Sequence, residues 1–189
     1  GGVLNLGDGG GSGIGTLRVG GHFSLLKGTI NESGSGSTRG RIEFVGNGQF
    51  DFVNQGSLSG SLEYFISVDT DLNLSTYKLI GNANSSIEVD GKVRVGATDP
   101  QGTIVAATGV GPGNIRVGSR IFNNGSRVIY NGTNAQVIGN GHPTEEGVDM
   151  VVQNPKGGLA SNFSSSNQVM GVRRTADFLE KATWTLGIA

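Results

Sequence analysis

The chain contains no cysteine. That excludes disulfides, thiolate metal sites and cysteine nucleophiles. Proline is scarce, at four residues in 189, and aromatics are only 6% of the chain. No apolar run approaches the roughly 20 residues that a membrane-spanning helix needs. Helix signals are nearly absent. Few windows place apolar residues at i, i+3, i+4 and i+7, and Gly, Asn, Ser, Thr and Val stand where a helix favours Ala, Leu, Glu and Lys. The formal net charge is −1, with no block of one sign. No sequence-independent attraction to nucleic acid or to an anionic membrane is therefore expected. No signal peptide is visible, and the chain opens Gly-Gly-Val-Leu without Met. It reads as a segment of a longer polypeptide.

What is abundant is glycine, at 35 residues, well above the average usage of about 7%. No Gly-x-y period accompanies it, so a collagen-like chain is excluded. A hydrophobic fraction of 35% suits a thin, elongated core better than one thick one. Period-2 alternation is frequent. Ile42 and Phe44 flank Glu43, Phe50 and Phe52 flank Asp51, Ile87 and Val89 flank Glu88, and Val93 and Val95 alternate with Lys92 and Arg94. Many β-type runs are only three to five residues long and end at Gly, Asn or Ser. Asn54–Ser61 reads as a turn region, Thr103–Ala107 as a strand and Ala176–Lys181 as the one helix-compatible run.

Short phrases recur. Apolar-Arg-Val-Gly occurs at Leu17–Gly20, Val93–Gly96 and Ile115–Gly118. Arg41–Phe50 is echoed by Arg127–Val137, and Leu4-Asn-Leu by Leu72-Asn-Leu. Spacing near 20–25 residues between equivalent strands matches one coil of a parallel β-helix. The fold expected is all-β, a right-handed parallel β-helix of about 20–25 residues per coil, with a β-sandwich as the alternative. Residues 1–139 are expected to form coils. Residues 140–189 are expected to continue the helix or cap it. Arg94 and Arg116, 22 residues apart, are expected to stack on neighbouring coils.

Candidate chemistry is thin. His22 and His142 lack companions at metal-ligand spacing. Asp8, Asp69 and Asp71 are the only hints of a calcium site, and turn-capping is the simpler role for them. Gly7–Gly13 lacks the Gly-Lys-Ser/Thr of a phosphate loop, and the serine clusters lack a nucleophile elbow. Asp51, Glu63, Asp69, Asp90, Arg94 and Arg116 are the residues from which a polysaccharide-cleaving site would be drawn. The simpler reading is a solvated outward ladder. No catalytic residue, cofactor or metal is assigned. Six Asn-x-Ser/Thr tripeptides, at Asn31, Asn73, Asn84, Asn124, Asn131 and Asn162, follow from composition and receive no glycan.

The phrases Gly15–Leu25, Arg41–Phe50, Asp71–Gly81, Ser86–Gly96 and Arg127–Ile138 together resemble the β-helical repeat regions of large secreted surface proteins of the Bacteroidetes. These are cargo of the type IX secretion system and include gliding-motility adhesins. The resemblance covers mainly residues 15–139 and fades beyond Asn140, where the Arg173-Arg174 pair departs from the pattern. It implies an extracellular, cell-surface adhesin segment that acts as a rigid or ligand-presenting module. Its expected partners are neighbouring coils, surface glycans or secretion machinery, without nucleic acid and without membrane insertion. The alternatives are a polysaccharide-degrading or carbohydrate-binding β-helix and a filament-forming subunit.

Overall fold

The computed structural model describes residues 1–7, 12–34, 39–144 and 147–154, and the backbone of three further strands at 158–160, 176–178 and 183–185. The chain winds as a β-solenoid of about six turns, and every strand pairing is parallel. It opens with β1 (Val3–Asn5). The first circuit is β2 (Ile14–Val19), β3 (Phe23–Leu25) and β4 (Thr29–Asn31). The second is β5 (Arg39–Phe44), β6 (Gly48–Asn54) and β7 (Ser57–Ser59), and the third β8 (Leu62–Ile66), β9 (Thr70–Asn73) and β10 (Leu79–Ile80). Then come β11 (Ser86–Val89), β12 (Lys92–Val95) and β13 (Ile115–Arg116), followed by β14 (Ser119–Phe122), β15 (Arg127–Tyr130) and β16 (Gln136–Val137). The last strands are β17 (Asp149–Val152), β18 (Gly158–Ala160), β19 (Ala176–Phe178) and β20 (Thr183–Thr185).

Stacking the circuits makes three sides. Side one is β2-β5-β8-β11-β14 and side two is β3-β6-β9-β12-β15-β17-β19. Side three is carried by β1-β4-β7, then β10-β13, then β16-β18-β20. Two- to seven-residue strands suffice because they hydrogen-bond to the neighbouring circuits.

Parallel register puts like on like. On side one Val19, Phe44, Ile66, Val89 and Phe122 form one inward column. On side two Leu72, Val93, Val128 and Met150 form another, with the half-buried Phe50 in register with Leu72 at its end. Phe44, Ile66, Leu72, Val89, Val93 and Val128 are fully buried, each contributing about 1.5–3 kcal/mol relative to exposure. Phe23 stacks on Phe52 at 5.1 Å, and Phe44 meets Phe52 edge-on at 5.9 Å. The corners demand special backbone. Gly60 sits at φ +85°, where an added Cβ would overlap the Glu32 carbonyl oxygen, so only glycine is tolerated there.

Several expectations change. Asn54–Ser61 contains β7, a strand in which Leu58 alone is buried. Its one inward apolar residue left no alternation to read. Ala176–Phe178, expected to start a helix, pairs parallel with Met150–Val152, because the neighbouring rung offers a ladder that a lone short helix lacks. The strand expected over Thr103–Ala107 shrinks to a bridge between Ile104 and Ile115.

The repeats also mean something other than expected. The three Arg-Val-Gly phrases fall in β2, β12 and β13, one on each side of the solenoid. Likewise Arg41–Phe44 lies on side one and its echo Arg127–Tyr130 on side two. The recurring unit is a strand with its following corner, and one coil contains three of them. Arg94 and Arg116 therefore do not stack: Arg94 pairs in register with Asn73 and Ile129, and Arg116 with Ile80.

One segment departs from the winding. Between β12 and β13 the chain makes an excursion over residues 96–114. Thr103 N–H donates to Val137 O at 2.8 Å and Ile104 N–H to Ile138 O at 3.2 Å. An extra rung is thus slotted into side three between β13 and β16. Gly102, at φ +109°, is pressed so closely to Gly139 that neither position has room for a side chain.

Candidate functional site

Outward side chains on the two long sides form ion-pair ladders. On side one Arg41 faces Glu63 in register, with Nη2 2.9 Å from its carboxylate, and Arg18 faces Glu43 at 3.1 Å. Arg39 and Arg41 extend the chain to Glu63 and Glu43 at 3.6 Å. Hydrogen bonding to Glu63 raises the Arg41 pKa, against the opposing effect of desolvation. On side two Arg94 grips Asp71 with two bonds of 2.8 and 2.7 Å, and its Nη1 reaches Gln153 at 2.8 Å. Asn73 donates to Asp51 at 2.9 Å. Arg127 meets Asp149 at 3.1 Å. Rungs about 4.8 Å apart bring opposite charges on successive strands within reach.

The excursion 96–114 carries the most unusual chemistry. Asn114 is fully buried. Its Nδ2 donates to Ser75 O and Tyr77 O at 2.8 and 2.6 Å, and its Oδ1 accepts from Ala97 N–H at 2.8 Å. Arg116 follows on the outward side of side three, yet it is only 7% exposed. Its guanidinium is held by three backbone carbonyls, Gly109 O at 3.0 Å, Pro112 O at 3.1 Å and Thr108 O at 3.2 Å. Lys78 Nζ donates to Gly111 O at 2.6 Å. The loop so pinned presents Val110, 90% exposed, at its tip.

Deeper inside, the Tyr130 hydroxyl lies 2.6 Å from His142 Nδ1. Both residues are buried. Burial pushes the His142 pKa down to about 3 and raises that of Tyr130, with Thr103 opposing the latter. Both groups are thus neutral at ordinary pH, and one hydrogen bond joins the hydroxyl to the neutral imidazole. His142 is a buried residue, 5% exposed.

The other sequence candidates scatter. His22 is exposed on β3's approach, 3.4 Å from Asp51. Asp71 is tied to Arg94, and the Thr70 between it and Asp69 is buried, with Oγ1 on Gly46 O at 3.0 Å. Asp90 accepts from Asn123 at a corner. Asp8 and Asn162 lie outside the described residues. Among the described residues no three His, Asp or Glu side chains gather to hold a metal ion. Asp51 lies on side two and Glu63 on side one, while Asp69 and Asp90 lie at the corners that precede β9 and β12. Sequence reasoning missed the Arg116–Lys78 loop. Its signals were present in Pro100, Pro112 and the glycines at 109, 111 and 113, but nothing local shows which side chain such a loop will wrap.

A family description, the preprotein translocase SecG subunit, matches residues 150–189. This short C-terminal stretch is similar to that family over its matched residues only. It contains β18, β19 and β20, and among the described residues no helix is long and apolar enough to cross a membrane. No curated protein and no solved structure matches the chain.

Proposed function

We propose that this chain is a segment of a secreted bacterial cell-surface adhesin, a stiff spacer that also presents a ligand-contacting loop. The observation that carries the reading is the pair of unbroken inward columns, through five rungs on side one and four on side two. Such stacking gives length and stiffness with few large side chains and without disulfides. The outward acids support it further. Glu43, Glu63, Asp71 and Asp149 are bound to arginines, an arrangement that braces rungs. A glycoside-cleaving site instead keeps two carboxylates facing one another across a groove. Its partners on this reading are adjoining coils and surface glycans. The neighbouring coils do contact one another throughout the stack.

The test is location. Antibodies raised against the purified chain should label intact, unpermeabilised cells of the source organism. Labelling that appears only after permeabilisation overturns the reading. Release of reducing ends from a panel of polysaccharides would favour the carbohydrate-cleaving alternative.

A further inference from the structure

Five arginines among the described residues, Arg18, Arg39, Arg41, Arg94 and Arg127, lie within 4 Å of a carboxylate. Arg116 is more deeply buried than any of these pairs' exposed members, yet its partners are carbonyl oxygens alone. Lys78 is likewise bound to a carbonyl. The one acidic residue of the excursion, Asp99, accepts from Gly113 N–H at 2.8 Å and makes no ion pair with either cation. Burying a cation without a counter-charge is costly. Here two cations converge on one five-residue loop, 108–112. Three of the five guanidinium N–H groups and one of the three ammonium N–H groups are accounted for, so donors remain on both. Gly111 packs directly against the guanidinium, where a Cβ would lie 2.7 Å from Cζ, so backbone and both head groups sit close together.

We propose that Lys78, Arg116 and the 108–112 loop form an oxyanion-recognition site. It takes a carboxylate or sulfate group, with the exposed Val110 flanking the bound group. The proposal rests on the reading of this loop as the ligand-presenting element, and it names the chemistry of that ligand. A planar guanidinium beside a compact ammonium is suited to such a group.

The test is a chemical-shift titration of the ¹⁵N-labelled full chain with sodium sulfate, against sodium chloride at matched ionic strength. Saturable shifts are expected at the Gly109 and Gly111 amides and at Arg116 Nε–H. Arg116→Gln also removes three loop bonds, so Lys78→Gln, which removes one, is the decisive variant. It should weaken sulfate binding about tenfold, the value of one charge-assisted hydrogen bond, while the amides of β5–β12 keep their positions. Oligogalacturonate and a neutral oligosaccharide of equal length form the second arm. Tighter binding of the acidic oligomer than of sulfate assigns the site to acidic glycans, and equal binding assigns it to free oxyanions. Shifts no larger than in chloride, or sulfate affinity unchanged in Lys78→Gln, overturn the proposal. Either result would leave the surface-labelling outcome untouched, so failure of the site and failure of the adhesin reading are separable.

Discussion

Residues 39–95 and residues 96–144 solve the same packing problem in two ways. In the first stretch β5 to β12 wind without interruption. Its interior is apolar, and of its buried polar residues Ser61 and Ser85 lie at corners, Thr70 opens β9, and Asp71 is ion-paired on the outside. In the second stretch the extra rung breaks the register, and Thr103, Asn114, Arg116, Gln136 and His142 are all buried. Gln136 shows why. It donates from Nε2 to Ala97 O at 3.2 Å and accepts from Gly132 N–H at 2.7 Å, and it adds a second donor to Val95 O, which already accepts from Asn131 N–H. Irregular backbone leaves carbonyls and amides that no ladder can satisfy, and buried amide side chains take over. Regular winding needs only register. A deviation needs a dedicated polar side chain for each orphaned group.

The contrast is broken most severely by attacking the regular stretch. Phe44→Ala removes a fully buried ring that contacts Phe23 and Phe52, and should cost about 3–5 kcal/mol, measured by denaturant unfolding. The irregular stretch should fail differently, by acid. His142 has a folded pKa of about 3 against 6.5 when free. Its depressed pKa means that the unfolded chain binds the proton first. The stability gained from neutral burial is therefore whole above pH 6.5 and is lost as pH falls from there toward 3, by up to about 1.4 kcal/mol per unit. His142→Gln should start less stable but show a shallower acid limb between those values. An identical acid limb in the variant would assign the acid sensitivity elsewhere. Asn114→Ala comes next, at about 2 kcal/mol, since it strands Ala97 N–H and the Tyr77 carbonyl and leaves Ser75 O with Gly96 N–H alone. Hydrogen exchange should rise over 97–113 and stay unchanged over β5–β11.

How much of this was legible follows from the same contrast. Where Ile42, Phe44, Ile87 and Val89 alternate with Glu43 and Glu88, one face is apolar and the other charged, so strand and facing could be read directly. Ile121 and Phe122 show the limit. Ile121 is 45% exposed, while its neighbour Phe122 is buried and continues the Val89 column. With Arg120 standing in register with Ile87, β14 has no alternation to betray its facing. The Arg-Val-Gly phrases mark strand ends at Val19 and Val95 and overrun the third, which ends at Arg116, but they do not tell which side each occupies. That depends on the number of corners between them, and the excursion at 96–114 upset the count. The Arg116 loop was illegible because its partners are carbonyls, which every sequence possesses.

The smallest effect is expected where the structure looks most ordered, in the ion ladder of side one. Arg41 touches both Glu63 and Glu43, at 2.9 and 3.6 Å. A count of contacts would rank it above Asn114. Its side chain is nevertheless 34% exposed, so water and salt screen each pair, and ordering a long side chain offsets part of the attraction. Arg41→Gln should therefore cost only about 0.5 kcal/mol at low ionic strength, and the difference should vanish in about 1 M salt, where the screening length is near 3 Å. The bidentate Arg94–Asp71 pair, at 19% and 11% exposure, provides the internal control. Arg94→Gln should cost more and retain part of that cost in high salt, because a buried carboxylate is left behind. Equal losses for the two variants, or a salt-independent loss at Arg41, would mean that the ladder of side one is a structural brace as strong as the core columns beneath it.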